Sequence, residues 1–286
     1  MKLSIAMMVK NQSKHLDECL KSLQAVREKI DSELIIVDTG SEDDTVDIAK
    51  RYTDKVYFHE WTGNFAEMRN ISISYTKGEW VFIIDGDEVI ENADPLIDFF
   101  KKGIYKNYNA AVITVRSFSN DKYDAYYDAC LPRLFKKTAQ FKYEGAIHEQ
   151  PVVSLPVCRI NLMLLHYGYI TTDNKLMEYK FKRNVEMLKK ELDRDPENIY
   201  YWFQMSQSYG MHRDFKDAME AIDIAYNLLK QKGKDLNDYY YVLHHMVYVY
   251  NLNGKYKETE KLCHEAIKVK DGYIDIYYHL GKAQMN

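Results

Sequence analysis

Short apolar runs alternate with amphipathic stretches over roughly the first 115 residues of the chain. Apolar runs bounded by polar residues predict strands, and apolar residues at helical spacing predict helices between them. The predicted strands are 3–9, 33–38, 55–59, 80–85 and 110–117, with helices starting near Leu16, Thr45 and Phe65. Ser41 is placed to cap the second of these helices. This alternation predicts an α/β domain with a parallel sheet covered by helices on both faces.

From about residue 175 the pattern becomes helical throughout. A charged amphipathic helix over 175–193 precedes two similar units, in which Phe215 and Ala225 align with Tyr256 and Ala266 about 41 positions later. Paired helices with small residues at their crossings resemble tetratricopeptide repeats, whose period is about 34, so we predict an extended loop near 230–238. A third unit is predicted to begin near Gly281. The sequence thus predicts an α/β domain, residues 1–175, and an all-α domain, residues 176–286.

The helical region leaves two questions open. Its many tyrosines fit ordinary packing at helical spacing, and they also fit a peptide-binding surface. An array of so few repeats either packs on the first domain or is incomplete, because stacked pairs need roughly three units for stability. An aromatic, uncapped end would also allow self-association into a homo-oligomer.

The segment Trp80–Glu88 ends an apolar run with two carboxylates, Asp85 and Asp87. In an extended strand these side chains would point to the same side and repel each other unless a cation lay between them. Oxygen ligands suit Mg²⁺ or Mn²⁺, which keep positions open for a substrate's phosphates. Because Asn11 and Asp38 also follow predicted strands, all four residues are expected on one rim of the sheet. The alternative is a solvated acidic turn after a core strand.

The composition and charge of the chain argue against several classes of function. The chain has 286 residues, 46% of them hydrophobic, which allows a substantial core. A net charge of -4 without a basic run argues against nucleic acid as a partner. No apolar run approaches the ~18 residues of a transmembrane helix. The N-terminal run is interpreted as a strand and not a signal peptide, and the four cysteines show no metal-site spacing, so a cytoplasmic location is expected.

Several motifs occur in a recognisable order, namely Met7–Asn11, Leu16–Leu23, Ile35–Thr45 and Ile84–Glu88. Together they resemble the family 2 glycosyltransferases with the GT-A fold, and this resemblance implies a Rossmann-like domain with a mixed, mostly parallel sheet. A branch of that family is similar over further motifs, Trp61–Asn70, Arg133–Phe135, His148-Glu149 and His166–Tyr169. That branch often carries C-terminal tetratricopeptide-like helices and includes the SunS-like peptide glycosyltransferases. Gln12 departs from the family pattern, in which an acid usually follows the asparagine.

The resemblance implies a donor site for a UDP-sugar. The implied donor-binding residues are Val9, Asn11, Asp38, Arg69, Asp85, Gly86 and Arg133. In the family, the residue matching Asp38 contacts uracil, and the alternative here is a helix-capping turn. Asp85 would lie near the ribose and metal-bound water, and Asp87 would bind Mn²⁺ or Mg²⁺ directly. His166 would complete the metal shell or be a hydrogen-bonded core histidine.

Two arginines and two carboxylates remain to be assigned. Arg69 could bind phosphate or pair with a neighbouring acid such as Glu67, and Arg133 is a second phosphate or acceptor candidate. A carboxylate near the attacking group suits a general base, which favours Glu149, assisted by His148 and with Glu144 in reserve. The alternative for Glu149 is a solvated loop residue.

The sequence therefore predicts an inverting, metal-dependent glycosyltransferase that moves a sugar from a UDP-sugar to a protein or peptide, since helical repeats often present peptide-binding surfaces. A lipopolysaccharide or other surface-glycan acceptor is the alternative within the same chemistry. A non-catalytic scaffold that uses the helical repeats is the alternative from another class.

Overall fold

The computed structural model describes residues 1–168 and 174–286. Within it the chain divides into two compact units, Met1–Asp173 and Asn174–Asn286. Tyr169, the last residue of the predicted His166–Tyr169 motif, lies outside the described residues. Among the described residues, no helix combines the length and hydrophobicity that crossing a bilayer requires.

The first unit is an α/β domain. Its strands are β1 (Leu3–Val9), β2 (Ser32–Asp38), β3 (Val56–Phe58), β4 (Trp80–Ile83), β5 (Glu88–Ile90), β6 (Ala110–Phe118), β7 (Tyr126–Lys136), β8 (Tyr143–Glu144), β9 (Gln150–Pro151) and β10 (Val157–His166). Its helices are α1 (Leu16–Ser22), α2 (Gln24–Lys29), α3 (Thr45–Lys50), α4 (Phe65–Ser74) and α5 (Asp94–Lys101), with a 3-10 turn at Ile104–Asn107.

Eight of these strands form one mixed sheet in the order β3-β2-β1-β4-β7-β6-β10-β5. The first four strands are parallel to one another, whereas β7 runs antiparallel to both of its neighbours, β4 and β6. The predicted fold class is confirmed. The sequence pattern missed β5, β7, β8, β9 and β10. In β7 the residues near its start are exposed and do not form an apolar run.

The central strands of the sheet are buried on both faces because their residues are mostly apolar. In β1 every residue except Met8 is buried, and all four residues of β4 are buried. Trp80, at the start of β4, packs edge-to-face against Phe99 and Phe100 of α5. This core fixes the register in which Val9 lies opposite Asp38 and Ala6 lies opposite Ile83. The carboxyl ends of β1, β2 and β4 therefore reach the same rim.

The helical unit contains α6 (Asn174–Arg194), α7 (Ile199–His212), α8 (Phe215–Gln231), α9 (Tyr240–Leu252), α10 (Tyr256–Val269) and α11 (Ile274–Gln284). Each helix packs against the next. Phe215 and Tyr256 begin α8 and α10, and Ala225 and Ala266 are fully buried, so the 41-residue alignment is confirmed. The connection after Gln231 is the long loop that the sequence predicted. Gly281 lies inside α11 and does not begin a unit, because that helix starts at Ile274.

His245, on α9, makes the stability of the helical unit depend on pH. The Ser206 hydroxyl donates to the Ala218 carbonyl, so it accepts from His245 Nε2 at 3.1 Å. Burial, with a smaller contribution from His244, lowers the pKa of His245 to about 4. The unfolded chain therefore binds more protons than the folded chain below about pH 6.5, and the free energy of unfolding decreases as the pH falls toward about 4.

We expect His245 to cost the protein about 2 kcal/mol of stability between about pH 7.5 and about pH 5. Urea unfolding followed by far-ultraviolet circular dichroism measures this loss. The variant His245→Gln keeps an amide donor for Ser206 without a titrating group, so its stability should decrease less over the same interval. Equal decreases in the two proteins would contradict the assignment.

Candidate active site

The predicted rim brings Val9, Asn11, Asp38 and Gly86 together. Val9 lies opposite Asp38 in the sheet, and its carbonyl accepts from the backbone N–H of Thr39 at 2.9 Å. A Cβ at Gly86 would lie 3.2 Å from Val9 Cγ1, so glycine at this position lets the turn approach β1 closely. Asn11 adopts a left-handed backbone conformation, with φ of 51°, and its Oδ1 accepts from the Glu42 N–H at 2.8 Å.

The Asp38 carboxylate is nearly buried and organises the turn after β2. It accepts from the backbone N–H groups of Gly40, at 3.0 Å, and Ser41, at 3.1 Å. The Ser41 hydroxyl in turn accepts from the Asn11 N–H at 2.9 Å. The expectation that Ser41 caps α3 is wrong, since Asp44 occupies the N-cap position. Ser41 instead joins the two loops because the tertiary fold brings Asn11 beside it.

Asp85 and Asp87 lie in a turn and not in a strand. The sequence predicted that the strand continues to Asp85, but β4 ends at Ile83 and β5 starts at Glu88. The argument that alternation in an extended strand points both carboxylates to one side is therefore wrong. Asp85 contacts two arginines, whereas Asp87 approaches His166. The two carboxylates of this turn therefore have different partners.

Arg69 links Asp85 to Glu149. It lies on the buried face of α4, a helix whose start is capped by the Asn64 side chain. Its Nη1 donates to Asp85 Oδ1 at 3.0 Å, and its Nε donates to Glu149 Oε1 at 2.6 Å. The ion pair with Glu67 that the sequence left open is replaced by these two contacts. Burial opposes the charge of Arg69, but the Asp85 and Glu149 carboxylates raise its pKa well above the ordinary value.

Arg133 is the second cation of the cluster, and its partner Glu88 was missed by sequence reasoning. Because Leu134 pairs with Phe82, Arg133 lies beside the end of β4. Its Nη2 donates to Glu88 Oε1 at 2.5 Å and to Asp85 Oδ2 at 3.3 Å. The only sequence signal for Glu88 is its position next to Asp87. No local pattern indicates that its side chain is fully buried, as it is in the structure.

The charges in this cluster nearly balance. Burial raises the pKa of Glu88 to about 7, with Arg133 acting in the opposite direction. Burial would also raise the pKa of Asp85, but Arg69 and Arg133 overcome this effect and hold it below the ordinary value. The two guanidinium groups therefore stabilise an ionised Asp85, and their own charges are neutralised by Asp85, Glu88 and Glu149.

Asp87 and His166 form the candidate metal-binding pair. His166 ends β10, its Nδ1 lies 3.1 Å from the Ser117 hydroxyl, and its Nε2 lies 3.6 Å from Asp87 Oδ1. Two ligands of one cation, each about 2.0–2.2 Å from it, lie about 3–4 Å apart, so the pair fits Mn²⁺ or Mg²⁺. Burial lowers the pKa of His166, but the Asp87 carboxylate outweighs burial and the pKa is raised.

If a cation bound to this pair, the two side chains would provide two donors and leave the remaining coordination positions to other ligands. Within residues 1–168 and 174–286, no group of three or more His, Cys, Asp or Glu residues is arranged to hold a metal ion. Such a partial set is typical of Mg²⁺-type sites that bind through one or two protein ligands plus substrate phosphates and water.

Gly168 packs directly against the Asp87–His166 pair. A Cβ added at Gly168 would lie 2.1 Å from Asp87 Oδ2 and 2.8 Å from His166 Nε2. The preceding residue, Tyr167, donates its backbone N–H to the Asp87 carbonyl at 3.0 Å and stacks on His15 and Phe118. The backbone is therefore held against the two donor side chains, and a side chain at position 168 would displace them.

We expect Gly168→Ala to weaken Mn²⁺ binding at least tenfold, because the added methyl group must push Asp87 or His166 out of position. Calorimetric titration of the folded variant with Mn²⁺ and UDP measures this effect. Gly281→Ala is the matched control, since a Cβ there meets nothing within 4 Å. Unchanged Mn²⁺ affinity in Gly168→Ala would show that the cation binds elsewhere.

Glu149 and His148 follow the short strand β8 and its loop. Glu149 is mostly buried, with 13% of its side chain exposed, so the alternative of a solvated loop residue does not describe it. His148 adopts a left-handed conformation with φ of 53°, which is costly for a residue other than glycine. Glu144 is exposed and pairs with Lys142 at 2.7 Å, outside the arginine cluster.

Comparison with known proteins shows which family the chain resembles in sequence. The sequence profile of glycosyl transferase family 2 matches residues 4–159. The SPbeta prophage-derived glycosyltransferase SunS of Bacillus subtilis is 29% identical over 235 residues, which are 77% of this chain and 51% of that protein. A TPR repeat-containing protein of Synechococcus elongatus is 26% identical over 264 residues, 88% of this chain and 62% of that protein.

A shorter match falls on a polymer-modifying enzyme. The poly(ribitol-phosphate) beta-glucosyltransferase of Bacillus spizizenii is 37% identical over 97 residues, which are 32% of this chain and 15% of that protein. This chain spans about half to three-fifths of the length of the first two relatives.

Proposed function

Because this chain belongs to glycosyl transferase family 2 and is a glycosyltransferase, we propose that it transfers a sugar from a UDP-sugar to a protein or peptide acceptor in a metal-dependent, inverting reaction. The observation that carries the proposal is the Asp87–His166 pair, 3.6 Å apart, beside a buried cluster of two arginines. A paired donor set suits a divalent cation that binds a diphosphate, and the two arginines hold the Asp85 carboxylate ionised in the same turn.

The nucleoside would bind along the rim formed by Val9, Asn11 and Asp38. The Asp38 carboxylate accepts from the backbone N–H groups of Gly40 and Ser41. In the proposed complex it would also accept from a nucleobase N–H. Asp85 would contact the ribose and a metal-bound water. When bound, a divalent cation held by Asp87 and His166 would neutralise the charge of the leaving diphosphate as a Lewis acid.

Glu149 would act as the general base. The acceptor hydroxyl or thiol attacks the anomeric carbon, its proton passes to the Glu149 carboxylate, and the bond between that carbon and the diphosphate oxygen breaks. A single displacement of this kind inverts the configuration at the anomeric carbon. His148, next to Glu149, would orient the acceptor. Arg69 would hold Glu149 through the 2.6 Å contact between its Nε and Oε1.

The helical unit supports a protein or peptide acceptor. Stacked helical pairs provide extended surfaces that bind peptides, and several tyrosines of this unit remain exposed, including Tyr248 and Tyr278. A surface glycan is the second candidate. The match to a poly(ribitol-phosphate) beta-glucosyltransferase favours it, since that enzyme's name specifies a polymer acceptor.

A thermal-shift screen tests the donor assignment. UDP, GDP and a series of UDP-sugars are added with and without Mn²⁺, and ligand binding to the native state raises the melting temperature. We expect a shift that requires both UDP and Mn²⁺. Absence of any nucleotide-dependent shift, together with absence of UDP-sugar hydrolysis, would contradict the proposal and favour a scaffold role. Labelled sugar from the best donor, offered to peptides and to ribitol-phosphate polymer, then separates the two acceptors.

A further inference from the structure

Glu88 is a fully buried carboxylate that the proposed reaction does not use directly. Burying a carboxylate is costly unless it is paired and hydrogen-bonded. Both oxygens of Glu88 are engaged: Oε2 accepts from the backbone N–H of Asp85 at 2.9 Å, and Oε1 accepts from Arg133 Nη2 at 2.5 Å. The side chain thus crosses the turn between β4 and β5 and contacts both the backbone and a neighbouring strand.

Both contacts of Glu88 converge on Asp85. The Arg133 nitrogen that donates to Glu88 also reaches Asp85 Oδ2 at 3.3 Å. Asp85 is therefore held at its backbone by Glu88 and at its carboxylate by the arginine that Glu88 anchors. Arg69 holds the other carboxylate oxygen at 3.0 Å. Without Glu88, Arg133 would keep only the longer contact to Asp85.

Glu88 is also connected to the metal-binding pair through the backbone. In the antiparallel pairing of β5 with β10, Glu88 lies opposite His166, and Val89 lies opposite Leu165. The turn that carries Asp85 and Asp87 is consequently fixed at its end to the strand that carries His166. A side chain that holds this turn acts on the donor site as a whole.

We propose that Glu88 is a positioning residue for the nucleotide–metal site, which fixes Asp85 through its backbone N–H and through Arg133. The inference rests on the proposed function, since it concerns the site where UDP and the cation would bind. A purely structural ion pair would stabilise the fold equally well with or without nucleotide. The role proposed here instead requires that UDP binding depend on the contact between Glu88 and Arg133.

The variant Glu88→Gln tests this role. Glutamine has the same shape, and its carbonyl oxygen can still accept from the Asp85 N–H, but it lacks the charge that anchors Arg133. We expect the affinity for UDP with Mn²⁺ to fall about tenfold and the KM for the donor to rise by a similar factor, whereas kcat changes less than threefold. Glu91→Gln, an exposed acid just after β5, is the control and should bind UDP as the wild type does.

A double-mutant cycle with Arg133→Met separates positioning from stability. If Glu88 acts through Arg133, then Glu88→Gln in the Arg133→Met background should weaken UDP binding less than twofold further. Independent, multiplicative losses would overturn the inference, and so would wild-type UDP affinity in Glu88→Gln. If Glu88→Gln does not fold by circular dichroism, Arg133→Lys provides the test. Lysine lacks the fork that reaches Glu88 and Asp85 together, so it should also lose about tenfold in UDP affinity, and unchanged affinity would overturn the inference.

Failure of the proposed function is distinguishable from failure of this inference. A wild-type protein that binds no UDP with Mn²⁺ overturns the function and this inference together. A wild-type protein that binds UDP, with a Glu88→Gln variant that binds it equally, overturns the inference alone.

Discussion

Replacing Asp87 with asparagine is expected to lower the rate of sugar transfer about 10²- to 10³-fold. Asparagine keeps the size of the side chain but removes the negative charge that would hold the cation between Asp87 Oδ1 and His166 Nε2, which lie 3.6 Å apart. The leaving diphosphate would then lose charge stabilisation worth several kcal/mol in the transition state. The measurement is single-turnover transfer from a labelled donor, combined with the Mn²⁺ concentration that gives half the maximal rate.

Asp98→Asn is the control for this substitution. Asp98 lies on α5 with about half of its side chain exposed and pairs with Lys102 at 2.8 Å, so its loss should leave transfer unchanged. A folded Asp87→Asn variant with wild-type rate and wild-type Mn²⁺ dependence would remove Asp87 from the metal site.

Replacing Glu149 with glutamine is expected to lower kcat about 10²- to 10⁴-fold, the range in which general bases contribute. The glutamine oxygen can still accept from Arg69 Nε, so the loop and the arginine cluster should keep their positions. UDP affinity should therefore remain within about twofold of the wild type, because the change affects the proton transfer and not donor binding. Transfer rates and UDP titrations on the same preparation separate the two effects.

Glu144→Gln is the matched control, since it removes the charge of an exposed glutamate in the same segment. We expect this variant to keep its transfer rate. A severe loss in Glu144→Gln, with little loss in Glu149→Gln, would assign the base to Glu144.

The rim of the α/β domain was largely predictable because it follows from strand order. Val9 and Asp38 end strands whose apolar runs are visible in the sequence, and Gly86 lies in the turn that follows a third such strand, β4. Once those strands are parallel neighbours, their carboxyl ends must meet.

The partners of the charged residues were not predictable in the same way. Arg69 and Glu149 are 80 positions apart, and Arg133 and Glu88 are 45 positions apart, so no local pattern links them. The strand that carries Arg133 was missed as well, because much of it is exposed and lacks an apolar run. The position of this strand next to β4 determines which carboxylates Arg133 contacts.

The sequence by itself determined the fold class, the repeat of the helical region and the residues that lie at the rim, since periodic burial and strand ends are encoded locally. Only the tertiary structure decided how the acidic turn is used. It separated Asp85 from Asp87, buried Glu88 and brought Gly168 against the Asp87–His166 pair. The physical reason is that the ionisation and pairing of a carboxylate depend on burial and on charges within a few ångströms, and those come from strands far apart in the chain.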